Sequence, residues 1–336
     1  MKRSNVSVFV PHIGCPNQCS FCNQLEITGC KNITTQQTVI SAAETALNSK
    51  GYSKESEIAF FGGSFTGIEP EYMCSLLKAA YQYVSEGLFR GIRISTRPDY
   101  INQEVLNTLK RYGVTSIELG AQSMCDDVLN ANSRGHSAGD VEAASGLILK
   151  NGFSLGLQMM TGLYKSNDEK DRYTAQRLAG LKPDTVRIYP TLVLKNTELA
   201  RLYLLNEYHP QTLESAVSLC ADLLSFFEGM GIKVIRLGLH DSPSLKTDLL
   251  SGPYHPAFRE LCESRIILKR IVSEIESRDK KSGANNYTIE VNPRFVSKAL
   301  GQKRSNIQKL KEHGINAQIV QNASLCGNEI KIIPIQ

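Results

Sequence analysis

Three thiols stand close together near the start of the chain, in Cys15-Pro-Asn-Gln-Cys19-Ser-Phe-Cys22. Thiolates with this CxxxCxxC spacing on one loop can wrap one face of a cubane 4Fe-4S cluster, each binding a different iron. Three ligands leave the fourth iron open to a chelating small molecule, and the amino and carboxylate groups of S-adenosyl-L-methionine (SAM) suit that place. An electron passed from a reduced cluster into the sulfonium would break a carbon–sulfur bond and release a 5′-deoxyadenosyl radical. The cofactors carry such chemistry, and the protein positions them. A zinc knuckle completed by His12 or Cys30 is the competing reading. Zinc sites more often pair their ligands as CxxC…CxxC, and the sequence has no second pair, so the spacing favours a cluster. Phe21, just before the last cysteine, is placed either to pack on an adenine ring or to anchor the loop.

These thiols need a scaffold. Apolar or β-branched runs recur at Ser7–Ile13, Ile58–Gly62, Arg93–Thr96, Ser116–Ala121, Leu155–Met160, Thr185–Tyr189 and Lys233–Leu237. Helix-periodic stretches lie between them, at Thr35–Leu47, Glu71–Tyr83, Gln103–Tyr112, Asp140–Asn151 and Gln211–Met230. Alternating strand and helix predicts an α/β fold with a mostly parallel sheet. The number of units suits a partial or full (β/α) barrel, with a doubly wound sheet as the alternative. In barrels the chemistry gathers at the C-terminal ends of the strands. The unusual motifs follow the runs accordingly: the cysteine loop, Gly62-Gly63-Ser64-Phe65, Thr96-Arg97-Pro98-Asp99, Gly120-Ala121-Gln122-Ser123, Met159-Met160 and Tyr189-Pro190-Thr191.

With an aromatic residue before its last cysteine, the loop resembles that of the radical SAM superfamily. STRPDY (Ser95–Tyr100), IELGAQS (Ile117–Ser123), NSRGH (Asn132–His136), RIYPTLV (Arg187–Val193) and VIRLG (Val234–Gly238) fall in the order of one family. Together they resemble the radical SAM domain of the Elongator catalytic subunit and its short bacterial relatives, from about Val6 to Glu263. The resemblance implies a radical SAM barrel, with Cys15, Cys19 and Cys22 on the cluster and Gly62 and Gly63 at the methionine end of SAM. It further implies Thr96 and Gln122 near the ribose or carboxylate, and Arg97, Arg134, His136, Arg187 and Tyr189 on the substrate side. Plain structural alternatives stand beside these roles: an Arg97–Asp99 ion pair, His136 as a helix cap, Tyr189 as core.

The polar stretch Glu276–Asn286 reads as a linker. It sets domain limits of 1–275 for the barrel with an extension, 276–286 for the linker and 287–336 for a small α+β tail. In the tail, Val296–Ile315 resembles the helix–loop–helix of a KH RNA-binding domain, whose GxxG loop clamps a nucleic-acid backbone. Gly301, Gln302, Lys303 and Arg304 occupy that loop, with Arg304 where the second glycine is expected. From Tyr287 to Gln336 seven Lys/Arg face three Glu, so most of the net charge of +5 lies here. That excess permits a polyanion partner. A small amphipathic cap with a solvated basic face is the alternative.

No apolar run approaches the length needed to cross a bilayer. The N-terminal apolar stretch is short, broken by Pro11 and without a small-residue cleavage site, so it reads as a strand and the protein as cytoplasmic. Nine cysteines, six of them scattered singly, argue against a disulfide framework there. About fifty residues follow the linker, too few for the acetyltransferase domain of the full-length Elongator subunit, and a second cysteine cluster for sulfur insertion is missing. The leading expectation is therefore a radical SAM enzyme acting on RNA, tRNA above all, supplied with electrons by a donor such as flavodoxin or ferredoxin. The competing expectations are turnover of a small metabolite with a structural tail, and an RNA-binding sensor whose cluster performs no turnover.

Overall fold

The computed structural model describes residues 5–10, 19–22, 33–241, 243–279 and 285–335. These divide into two compact units, Met1–Thr212 with Phe227–Tyr254, and Leu213–Phe226 with His255–Gln336.

The first unit is built on seven strands: β1 (Val6–Val10), β2 (Glu57–Gly62), β3 (Gly91–Thr96), β4 (Val114–Gln122), β5 (Ser154–Thr161), β6 (Thr185–Pro190) and β8 (Lys233–Leu237). Every neighbouring pair is parallel, and the order is β1-β2-β3-β4-β5-β6-β8. A doubly wound sheet reverses its order at a switch point. No reversal occurs among the described strands, so the sheet is a curled, singly wound half-barrel. A two-stranded antiparallel ribbon of β7 (Val193–Leu194) and β9 (Leu249–Ser251) was not legible, because strands of two and three residues, far apart in the chain, leave no period to read.

Intervening helices cover the outer face: α1 (Gln36–Leu47), α2 (Pro70–Ser85), α3 (Gln103–Arg111), α4 (Asp126–Ala131), α5 (Ala138–Lys150), α6 (Asp168–Gly180) and α7 (Glu198–Leu204). Outward strand residues are apolar and buried, among them Ile58, Phe60, Ile92, Ile94, Ile117, Leu119, Leu155, Leu157, Val186 and Ile188. The loops after the strands end in caps. Asn102, Ser137, Asn167 and Thr197 each accept a first-turn backbone N–H with the side chain, which fixes where each helix starts and keeps the loop at the mouth short. No helix among the described residues is long and apolar enough to cross a membrane.

A further helix, α8 (Leu213–Gly229), joins β7 and α7 to β8. Most of α8 already belongs to the second unit; after α9 (Pro243–Asp248) the chain returns to that unit with α10 (Phe258–Asp279), β10 (Asn286–Val291), α11 (Val296–Leu300), α12 (Ser305–Glu312), β11 (Asn316–Gln321) and β12 (Ile330–Pro334). The sheet order is β11-β10-β12, with β10 parallel to β11 and antiparallel to β12. Ile267, Ile271 and Ile275 of α10 pack with Tyr287, Ile289, Val291, Leu310 and Ile332 in one core. The expected boundary after residue 275 therefore falls inside a helix that belongs to the small unit. Glu276–Asp279 is polar because it is the last turn of that helix. Residues 280–284 of the expected linker lie outside the described residues.

Candidate active site

The inner face of the half-barrel is polar. Parallel strands covered on both faces ordinarily read as continuous apolar runs. Here the alternate positions carry Arg93, Ser95, Glu118, Gln122, Gln158, Arg187 and Tyr189. Glu118, 1% exposed, is the hub of this face. It accepts from Arg93 Nη1 at 2.9 Å, from Arg187 Nη2 at 2.9 Å and from Gln158 Nε2 at 3.3 Å. Arg93 also pairs with Glu57 at 2.7 Å, and Thr115 and Ser116 donate to that second carboxylate. Burial opposes the charge on Glu57, but Arg93 and the two hydroxyls outweigh it and hold the carboxyl below the usual carboxylate value. Arg187 is likewise buried, yet Glu118 drives its proton affinity up; its guanidinium also lies 5.0 Å over the Phe61 ring. A Cβ at Gly156 would come within 2.7 Å of Glu118 Cγ, so a side chain there would displace the hub.

Above this layer opens a cavity of about 530 Å³. Cys19, Phe21 and Cys22 line one wall, and Gly62, Gly63, Ser64, Thr96, Arg97, Gly120, Gln122 and Arg134 adjoin it. The other wall is formed by Met160, Arg187, Tyr189, Pro190, Leu192, Leu194, Leu239 and His240. Cys15 lies outside the described residues, as do His12 and Cys30 of the zinc alternative. A turn in which Cys22 N donates to Cys19 O at 3.0 Å carries both remaining thiols to the same cavity. Ser20 anchors that turn through its hydroxyl, 2.6 Å from Asn132 Oδ1. Phe21 does two things: it lines the cavity and packs against the cluster of Val193, Leu199 and Tyr208.

The remaining expected site residues take different positions around the cavity. Arg134, placed by sequence on the substrate side, stands at the thiols: Nη1 lies 3.1 Å from Cys19 Sγ and Nη2 donates to Gly120 O at 2.7 Å. His136 does not line the cavity. It is buried behind β4 with Nε2 3.2 Å from Ala121 O, and burial, then the charges of Arg134 and Arg97, pull its pKa down to about 4. Arg97 lines the cavity while paired bidentately with Asp99 at 2.9 and 2.8 Å. The Thr96 hydroxyl is engaged by Ser64 at 2.8 Å and Thr66 at 2.6 Å, so it holds the Gly62–Thr66 loop in place. Tyr189 is cavity wall, 3.4 Å from Arg187 Nη1. Sequence reasoning missed Glu118, Gln158, Ser64 and His240. An acid within the strand run Ser116–Ala121 was the available signal for the first, but its partners come from strands 25 to 69 residues away.

Several features of the cavity fit a cluster with a chelated sulfonium ligand. Two thiols converge. Gly62, at φ +118°, lies where a Cβ would meet Val10 O at 2.2 Å, so only glycine lets the chain turn there. Gln122 Oε1 and Arg134 Nε are buried without a hydrogen-bond partner among the described residues. Buried polar atoms ordinarily find a hydrogen-bond partner, so these two, in residues that line the cavity, are open to a bound group.

Fold and site together define a barrel enzyme that works through a bound cofactor at the strand ends. The chain belongs to the radical SAM superfamily: the profile of that superfamily matches residues 9–178, and that of the Radical_SAM C-terminal domain matches 183–268. Its cofactors are a 4Fe-4S cluster and SAM. Among curated proteins it is similar to the tRNA uridine(34) acetyltransferase of Methanocaldococcus infernus, 28% identical over 54% of this chain and 37% of that protein. It is also similar to Elongator complex protein 3 of Schizosaccharomyces pombe, 32% identical over 50% of this chain and 31% of that protein. The chain thus spans about a third of the length of these relatives. The structure of Methanocaldococcus infernus Elp3 lacking residues 1–46 superposes with a TM-score of 0.63 at 22% identity, covering 82% of this chain and 63% of that one. That likeness is one of fold.

Proposed function

We propose that this enzyme modifies a base of RNA, most simply tRNA, in the cytoplasm, with Cys15, Cys19 and Cys22 holding the cluster. When bound, the cluster and SAM supply reductive cleavage of a carbon–sulfur bond and so a 5′-deoxyadenosyl radical. The chain's own residues position and protect. Gly62 and Gly63 admit the methionine end, Gln122 offers a free carbonyl oxygen to a hydroxyl or ammonium, and Phe21 offers a ring face to the adenine. Arg134 donates to the cluster's sulfur at Cys19. The wall of Pro190, Leu192, Leu194 and Leu239 excludes water from the reacting side. A small reductant protein such as flavodoxin or ferredoxin supplies the electron.

The convergence of Cys19, Cys22, Gly62, Gly63 and Gln122 on one cavity carries the radical half of this reading. Two things support the RNA half. Relatives bear the name tRNA uridine(34) acetyltransferase. The loop Gly301–Arg304 joins two helices in a small β-α-α-β-β unit, with Gln302, Lys303 and Arg304 exposed, as a KH-like clamp requires.

Protein reconstituted without oxygen should release 5′-deoxyadenosine and methionine from SAM and dithionite. It should also retain bulk tRNA with an affinity that falls with salt. Lys303→Gln with Arg304→Gln is the right control, because deleting the tail would strip the cover from Ile267, Ile271 and Ile275. Iron and sulfide binding without either SAM product would end the enzymatic reading. Turnover without any tRNA retention would move the substrate to a small metabolite.

A further inference from the structure

Ser20 stands between two of the three thiols, and each of its polar groups is engaged by another part of the barrel. Its N–H donates to Asn132 O at 3.1 Å, its hydroxyl donates to Asn132 Oδ1 at 2.6 Å, and its carbonyl accepts from Leu199 N at 2.7 Å. Asn132 is fully buried and closes α4. Its amide nitrogen donates to Val128 O at 2.8 Å and to Tyr164 O at 2.9 Å. Two carbonyls at one end of the carboxamide fix that end as nitrogen and leave the oxygen for Ser20. Tyr164 sits in the loop after β5, which is itself tied down: Asp171 accepts from Gly162 N at 2.8 Å and from the Ser166 hydroxyl at 2.6 Å. A brace thus runs from a helix end and a strand-end loop to the residue between the cysteines.

The chain around Asn132 is shaped for this brace. Ser133 is exposed and left-handed, at φ +52°, a conformation that costs a residue with a side chain and that gathers at functional sites. The residues on either side of it are both buried and both reach the cysteine turn, Asn132 at Ser20 and Arg134 at Cys19. All of these bonds join protein groups to protein groups, so none of them needs iron.

We infer that Asn132 is a positioning residue of the iron–sulfur site: acting through Ser20, it holds the Cys19–Cys22 turn ready for its ligand role and so slows the loss of iron. Ligands ordered during folding bind more tightly, because that ordering no longer has to be done on binding. The inference rests on the reading of Cys19 and Cys22 as cluster ligands, and adds to it a residue that the thiol spacing does not mark.

The test uses full-length protein in two states. The first is protein reconstituted without oxygen, in which iron release to excess EDTA is timed. Ser20→Ala should release iron about tenfold faster than the parent, a factor equal to about 1.4 kcal/mol and of the size of one buried hydrogen bond. Asn132→Ala should be at least as fast, and adding Ser20→Ala to it should change little, because both remove the same bond. Ile148→Val, a buried truncation on α5, controls for general destabilisation: it should lower the melting temperature and leave release at the parent rate. The second state is cluster-free protein. There, alkylation of Cys19 by iodoacetamide, read on its peptide by mass spectrometry, should be slow in the parent, where Cys19 is 5% exposed, and about tenfold faster in Ser20→Ala and Asn132→Ala, which open the turn locally. Should Asn132→Ala fail to fold, Ser20→Ala carries both measurements. A parent that holds the cluster while Ser20→Ala releases iron at the parent rate overturns the inference alone, as do effects of the two substitutions that multiply in the double variant. A parent that takes up no iron overturns the cluster reading and the inference with it.

Discussion

The guanidinium of Arg134 bridges a thiol and a strand end: Nη1 is 3.1 Å from Cys19 Sγ, while Nη2 donates to the Gly120 carbonyl at 2.7 Å. The carbonyl fixes the direction of the fork, and the fork delivers a cation to sulfur. Hydrogen bonds and charge at the sulfurs set the potential of an iron–sulfur centre. Arg134→Gln should therefore lower the reduction potential, by about 60 mV for each tenfold loss in the one-electron equilibrium, with iron content near that of the parent. Redox titration followed by electron paramagnetic resonance measures this. An unchanged potential would reduce Arg134 to a strut between β4 and the loop.

The barrel was legible in the sequence because the outer face of each strand answers to helices and is strictly apolar, so Ile58, Ile94, Ile117, Leu157 and Ile188 announce the period. Each of the seven sheet strands overlaps its run; residues 11–13 of the first run lie outside the described residues. The site was legible in part, at positions where chemistry and chain neighbourhood coincide, as at Cys19, Cys22 and Gly62. It was illegible where function depends on partners distant in sequence. Arg134 and His136 are two residues apart, yet one meets the thiol and the other is turned away behind β4; only the conformation of the Asn132–His136 turn decides this. Glu118 carried only a faint local mark, an acid inside a strand run, because its partners Arg93, Gln158 and Arg187 come from three other strands. The α10 terminus was misread for the opposite reason: its local composition is that of a linker, while its ends are tied by Ile267, Ile271 and Ile275 to a sheet that follows later in the chain.

Removing the hub should be costly. Glu118→Gln keeps the shape but leaves Arg93 and Arg187 sharing one fewer carboxylate in a buried layer. The loss expected is about 3 kcal/mol, in the range for breaking a buried ion pair. Adding Arg187→Met should recover part of it, because the orphaned charge is then gone. Urea unfolding of the two variants and the parent measures both numbers. A Glu118→Gln protein as stable as the parent would mean that the layer is solvated rather than structural.

Two buried groups give stability opposite dependences on pH. His136 has a folded pKa of about 4 against 6.5, from burial first and then the Arg134 and Arg97 charges. Between those values the unfolded chain takes up a proton that the folded chain refuses, so stability falls as pH drops through that window, by on the order of 3 kcal/mol. Asp171 is raised to about 6 by burial, against the donors Ser166 and Gly162 N. There the folded chain keeps a proton that the unfolded chain loses, so this contribution is complete below about pH 4 and disappears as pH rises through about 6. His136→Gln should flatten the acid-side loss, and Asp171→Asn should flatten the opposing trend. Denaturation midpoints from pH 4 to 7 give the slopes, and a His136→Gln profile parallel to the parent would contradict the burial of a neutral ring.

Arg304 offers a variant in which stability and binding should part company. It sits at φ +63° beside Lys303 at +52°, both in the left-handed region that a side chain enters at a cost. Gly301 at the other end of the loop, at φ +74°, carries no such cost. Arg304→Gly would restore a glycine at the fourth loop position and release about 1 kcal/mol of backbone strain, so the melting temperature of the protein should rise. The same change deletes one exposed cation. If the loop clamps a nucleic-acid backbone, tRNA binding should weaken across sequences and the dependence of log affinity on log salt should become shallower by about one. Lys303→Gln should cause the same loss of binding with no gain in stability, since its backbone remains left-handed. A stabilised Arg304→Gly protein that binds tRNA as well as the parent would leave the strain explained and the clamp without support, because a residue held in a costly conformation for its charge must lose something when that charge is removed.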